Sequence, residues 1–249
     1  MNRSSTLPQH SLHWLIFAGL ATVILWQIPG ADLILYPFAI LATWFQEMGH
    51  GLAALLMGGD FQTLALNADG SGVATYTYIP GMFAAFGQAF IAASGPLGPA
   101  LAGALFIMSG KKSRTAGVAL GILAGILFLS AALWVRTSFG IIAVTALGVM
   151  ILALAIKGSA PLRAFSIQFL GIQACISTYK QVDYLFMGEA EIGGTIMVSD
   201  TMQIANQLLL PHWFWGGLII ALSLSMLIFA LWFSYRDVSR EKRPKMLYT

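Results

Sequence analysis

Gln46, Glu47 and His50 fall inside one apolar stretch, Tyr36 to Met57, that reads as a helix. Residues i and i+4 of a helix share a face, so Gln46 and His50 project together with Glu47 beside them. This is the spacing of H-E-x-x-H, in which two imidazoles reach one tetrahedral zinc and the glutamate takes a proton from the metal-bound water. Glu47 fits the base and His50 fits a ligand. The first ligand position holds Gln46, whose neutral amide oxygen is a poor zinc donor. Ionisable groups are costly in hydrocarbon, so their presence there marks a functional candidate.

Zinc needs a third protein ligand. Of the ten acidic residues in the chain, only Glu47 and Asp183 fall well inside expected spans. At the helical rise, His50 lies about 10 Å from the outer end of its span and Asp183 about 6 Å from the same end of a later one. Asp183 is therefore the first candidate for the third ligand. The alternative for Asp183 is an ion pair with Lys180 on the same helix end. Asp200 is the rival ligand. It sits at the mouth of a loop, where capping a helix is the simpler account.

These side chains need a scaffold, and the composition says which kind. The chain has 249 residues, 58% hydrophobic and 9% charged, with mean hydropathy +0.79; a globular domain carries about 25% charged residues. The expectation is an all-α polytopic membrane protein forming a single membrane-embedded domain over 1–249. Its apolar runs give about seven transmembrane helices, near 12–28, 33–57, 82–109, 115–135, 138–157, 163–187 and 212–235. Met1 to Ser11 is polar and no small-residue cleavage site follows the first apolar run, so Leu12 to Ile28 reads as a retained helix. Residues 60–79 alternate weakly around Asn67-Ala68-Asp69-Gly70, which predicts a short β-hairpin directly after the motif helix. It is either an ordered connection or an edge strand offered to an extended substrate. Residues 200–210 read as a short amphipathic helix capped by Ser199 or Asp200, with Pro211 opening the last span.

Ten of the thirteen Lys and Arg residues fall on one side of this topology. They are Lys111, Lys112, Arg114, Lys157, Arg163, Arg236, Arg240, Lys242, Arg243 and Lys245, against Arg3 and Arg136 opposite. That asymmetry places the C-terminus in the cytoplasm. The basic tail, 236–249, is a topology anchor or a contact for anionic lipid. The single cysteine, Cys175, allows no disulfide framework and reads as a small packing residue. Gly95, Gly98 and Gly103, with Ala100 and Ala102, give their helix a smooth face for close packing against the motif helix. Gln168, Gln173, Ser177 and Thr178 line a water path or join helices by hydrogen bonds.

The run Phe45-Gln46-Glu47-Met48-Gly49-His50-Gly51-Leu52-Ala53-Ala54-Leu55-Leu56-Met57-Gly58-Gly59 resembles the M50B-like branch of the site-2-protease metallopeptidases, which typically reads F-H-E-x-G-H-A-x-A-A-L-x-T-G-G. The likeness continues through Asn67 to Val73, Ser94 to Gly103, Gln181 to Leu185 and Ser199 to Gln203, covering about 45–235. It implies a zinc-dependent intramembrane protease of a bacterial inner membrane. The implied partners are a membrane-protein substrate and the lipid bilayer, not nucleic acid. Glu47 takes the family's base position, His50 a ligand position, and Gln46 the position of an expected histidine. The wider group draws its third ligand from a later aspartate, usually within Leu-Asp-Gly, a tripeptide this chain lacks. Such proteases usually hold the metal toward the cytoplasm, whereas the charge count places it nearer the outside. Gln46 has three readings: a replaced histidine in an otherwise active enzyme, a catalytically dead pseudoprotease that binds membrane partners, or an altered ligand set. A small proton-coupled transporter using Glu47, His50 and Asp183 is a further class, though the chain shows no internal repeat.

Overall fold

The computed structural model describes residues 10–79, 81, 84–192 and 194–241. The expected charges Arg3, Lys242, Arg243 and Lys245 lie outside the described residues. The chain is mostly helical and runs α1 (His10–Leu25), α2 (Asp32–Leu56), β1 (Asp60–Leu66), β2 (Gly72–Thr77), α3 (Ala84–Ser109), α4 (Ser113–Leu133) and α5 (Ser138–Lys157). It continues through α6 (Ala160–Lys180), α7 (Val182–Phe186), β3 (Glu189–Ile192), β4 (Thr195–Val198), α8 (Asp200–Gln207) and α9 (His212–Glu241).

The helices fall close to the expected apolar runs, with two corrections. By length and apolarity, four described helices can cross a membrane: α3, α4, α5 and α9 as far as Arg236. The count of seven is not reproduced. The apolar part of α1, Leu15–Leu25, is short. Both α2 and α6 carry polar residues because they face protein rather than lipid. Gln168, Gln173, Ser177 and Thr178 of α6 are all buried, on a helix packed by α1, α2, α3, α4 and α9. The second correction is at the end of the sixth run. It does not continue to residue 187: α6 stops at Lys180, and a separate short helix, α7, follows.

Close approach between helices depends on glycine at two seams. A Cβ on Gly49 of α2 would stand 2.3 Å from the Ser94 carbonyl oxygen of α3, and one on Gly98 would stand 2.7 Å from that of Phe45. A Cβ on Gly103 would meet the Gly171 carbonyl of α6 at 2.5 Å instead. The small-residue face of α3 therefore serves two neighbours, the motif helix and α6. Cys175 is buried at the second seam, its thiol 3.6 Å from the Ala100 carbonyl oxygen. The largest apolar core joins α2, β1, α4, α5 and α6. It encloses Trp44, whose indole N–H donates to Ser130 Oγ at 2.9 Å.

The expected hairpin forms, β1 pairing antiparallel with β2 from Asp60↔Thr77 to Leu66↔Gly72. It folds back along α2. The Gly59 amide donates to the Ala54 carbonyl, the Thr43 hydroxyl to that of Gly70 at 2.8 Å, and the Tyr36 hydroxyl to that of Ala68 at 2.7 Å. The outer edge of β1 is covered. The Leu64 amide donates to the Trp134 carbonyl and the Arg136 amide to that of Leu64, while the Leu66 amide and carbonyl both bond the Thr137 hydroxyl. A second hairpin, β3 with β4, was not expected.

The basic groups gather at one end of the bundle. Lys111 follows α3, Lys157 ends α5, Arg163 opens α6, and Lys111 and Arg236 both lie over the Phe233 ring.

Candidate functional site

Three walls meet around the polar face of α2. Gln46, Glu47 and His50 are buried at 8%, 6% and 8% exposure. The His50 Nδ1 lies 2.9 Å from the Ile91 carbonyl oxygen of α3. That acceptor places a proton on Nδ1 and turns Nε2 toward the site, the orientation a metal-binding imidazole needs. The ring lies against Gly95 of α3, where a Cβ would stand 2.0 Å from Nε2. The glycine thus makes room for the imidazole itself to pack against α3.

The second wall is β2. Glu47 Oε2 accepts the Ala74 amide at 2.6 Å. That N–H points away from β1, so Glu47 takes a donor on the free edge of the hairpin. Gly72 lets the strand pass this closely, since a Cβ there would lie 2.6 Å from Thr43 and 2.9 Å from the Glu47 side chain.

The third wall is α8, which carries Asp200 as its first residue. Its Oδ1 lies 3.3 Å from His50 Nε2, and its Oδ2 lies 3.5 Å from the Gln46 side-chain amide nitrogen. Ser199, not Asp200, caps the helix by accepting the Met202 amide, which leaves the Asp200 carboxylate free to turn inward. Ile204 anchors α8 among Ala89, Ala92, Leu185 and Ile219. The Asp200 amide donates to the Tyr184 hydroxyl at 3.2 Å. Burial first, and then the charge of Asp200, push the Tyr184 phenol above its ordinary value, so it stays protonated.

The walls enclose a cavity of about 630 Å³ that also reaches Gln181, Tyr184 and the β3–β4 hairpin. Strand and loop backbone at membrane depth is tolerated where it is buried in protein or lines water, and β2 meets that condition here. The cavity lies toward the C-terminal end of α2 and the first half of α3, away from the basic end of the bundle.

Of the residues picked out from the sequence, Gln46, Glu47, His50 and Asp200 come together. Asp183 does not. It is exposed on the first turn of α7 and outside the cavity lining. Its depth rested on a continuous helix, and α6 has already ended. Gln168 bonds the Ile107 carbonyl and the Tyr235 hydroxyl and Gln173 bonds Thr22, so these amides join elements, while Ser177 bonds its own helix; none of the three lines the cavity. Sequence reasoning missed Tyr184 and the Ala74 amide, whereas Gly95 packs against the motif helix as expected. Tyr184 lies next to the favoured aspartate but carries no spacing signal of its own.

His50 and Asp200 supply an imidazole and a carboxylate that face one another, and Gln46 adds an amide. Two strong donors and one weak one, lining one cavity, fit a divalent metal. Among the described residues no three His, Cys, Asp or Glu side chains gather into a metal-binding group, because the third place is held by Gln46.

A helical integral membrane protein with glutamate and histidine on one buried helix, and an aspartate brought to them from a later segment, has the layout of a membrane metallopeptidase. The family profile described as Peptidase M50B-like matches residues 15–230, and the chain belongs to that family. No curated protein and no solved structure matches it.

Proposed function

We propose that this protein is a zinc peptidase acting on membrane-protein substrates, with Glu47 as general base and His50, Asp200 and the residue-46 side chain as the metal's ligands. The observation that carries this is the approach of Asp200 to both His50 and Gln46 in the cavity that all three line with Glu47. Bound there, zinc would polarise the scissile carbonyl and a water. The chain's own residues do the rest. The Ile91 carbonyl fixes the His50 tautomer. Glu47, beside the ligands on α2, accepts the proton of the attacking water and passes it to the leaving amine. The β2 edge offers hydrogen bonds to a substrate drawn into extended form, a mode of recognition in which backbone supplies affinity and side-chain pockets supply selectivity. Its other long edge is already occupied by Trp134 to Arg136.

Gln46 also supports a second reading, a pseudoprotease that holds membrane partners in the same cavity without cutting them. Cleavage of a membrane-protein substrate by the chain with Gln46 retained separates the two, and metal analysis tests the ligand set they share. With Gln46 retained, the weak amide donor leaves zinc substoichiometric. Gln46→His should raise zinc toward one per chain, and adding Asp200→Asn should remove it. Zinc unchanged by Gln46→His would sink the metallopeptidase reading, and zinc retained after Asp200→Asn would sink the ligand set. The cytoplasmic placement of the C-terminus follows from the basic end of the bundle by the positive-inside rule.

A further inference from the structure

The geometry points to Tyr184 as the positioning residue for Asp200, its hydroxyl setting the angle at which that carboxylate enters the site. The inference rests on the metallopeptidase reading above.

Asp200 must reach Gln46 across 154 positions of sequence, and it does so from a helix of only 8 residues. The first amides of any helix have no partner within it. Ser199 satisfies the Met202 amide, so the Asp200 amide must look elsewhere. It finds the Tyr184 hydroxyl, 16 residues back in the chain, at 3.2 Å. Between the two lies the β3–β4 hairpin, and every residue of β4 is exposed. Packing of that hairpin therefore does little to fix Asp200.

Ile204 packs α8 against α3 and α9, and Tyr184 is held from α7 beside it. Its neighbour Leu185 is fully buried, and Gly216 of α9 approaches so closely that a Cβ there would stand 2.6 Å from the Leu185 carbonyl oxygen. The phenol is thus a strut from α9, through α7, to the first peptide of α8. The Ser199 hydroxyl, donating to the Met187 carbonyl at 2.6 Å, ties the base of the same loop. Ser199 sets where the helix starts, and Tyr184 sets how its first residue is turned. A site loose by about 1 Å in its supporting shell is a site that binds poorly.

The test uses the full chain in detergent with Gln46→His, and cobalt as a visible probe of the metal position. Tyr184→Phe keeps the ring in the cavity wall and removes only the hydroxyl. Cobalt affinity should fall about tenfold, the usual scale for loss of a group that orients a ligand. The cobalt absorption bands should change shape, and thermal unfolding of the metal-free protein should stay where it was. Asp200→Asn in the same background, which removes the carboxylate itself, should lose the cobalt. Unchanged affinity and bands in Tyr184→Phe, while Asp200→Asn loses cobalt, overturn this inference alone. No cobalt in the Gln46→His chain, or cobalt retained after Asp200→Asn, overturns the proposed ligand set and this inference with it.

Discussion

His50 is held by two long helices that touch backbone to backbone, whereas Asp200 comes from a short helix that follows an exposed hairpin. On the first side, Gly49 lets α2 lie against the Ser94 carbonyl, and the Ile91 carbonyl locks the imidazole. On the other, Ile204 packs α8 against α3 and α9, and three hydrogen bonds hold its start: Ser199 amide to Gly188, Ser199 hydroxyl to Met187 and Asp200 amide to Tyr184. The difference teaches that one cavity can pair a wall fixed by backbone contact with a more adjustable one fixed by side chains and hydrogen bonds. The proposed function asks for both, a rigid donor set and a wall that admits a chain.

Substitutions in the two walls should separate them by size of effect. Gly49→Ala drives a methyl into backbone rather than into a side chain that can swing away. Stability should fall by about 3 kcal/mol, read as thermal unfolding in detergent. A fall below about 1 kcal/mol would mean that α2 and α3 part easily and that the rigid wall is not rigid. Ser199→Ala removes the cap of α8 and should cost about 1 kcal/mol. Hydrogen exchange should rise in the amides of 200–207 and stay flat in α2. Equal rises in both would erase the contrast. Ile196→Thr, on a side chain 73% exposed, should change stability by less than about 0.5 kcal/mol. A larger loss would show that the hairpin is packed after all.

Much of the fixed wall was legible and much of the adjustable one was not, for a physical reason. The face shared by Gln46, Glu47 and His50 follows from helical periodicity within five residues, which no distant contact can alter. The boundaries of α3, α4 and α5 follow from apolar runs and from the break at Trp134 to Thr137. Asp200 against Asp183 was a question of tertiary path. Reckoning depth by rise per residue needed α6 to continue past Lys180, and no glycine or proline at 180–183 signals that it stops. The β3–β4 hairpin left half a mark, since Gly193-Gly194 precedes the β-prone Thr195-Ile196-Met197-Val198, but Glu189-Ala190-Glu191 is of types depleted in strands. Gln46 is legible as a departure from the motif, but the sequence alone does not say that its amide meets the rival aspartate.

The enclosure of α6 bears on how the chain gets into a bilayer. Gln168 and Gln173 are satisfied by Ile107, Tyr235 and Thr22, all of them on other helices. Alone in lipid, this segment would carry those amides unpaired, at a cost that opposes its partition. For α6, then, satisfying these amides waits on assembly: Thr22 and Ile107 precede it in the chain, and Tyr235 follows it. The Gln168 side-chain carbonyl oxygen gains the Tyr235 hydroxyl only once α9 docks, so this seam is completed by the last helix of the chain's described part.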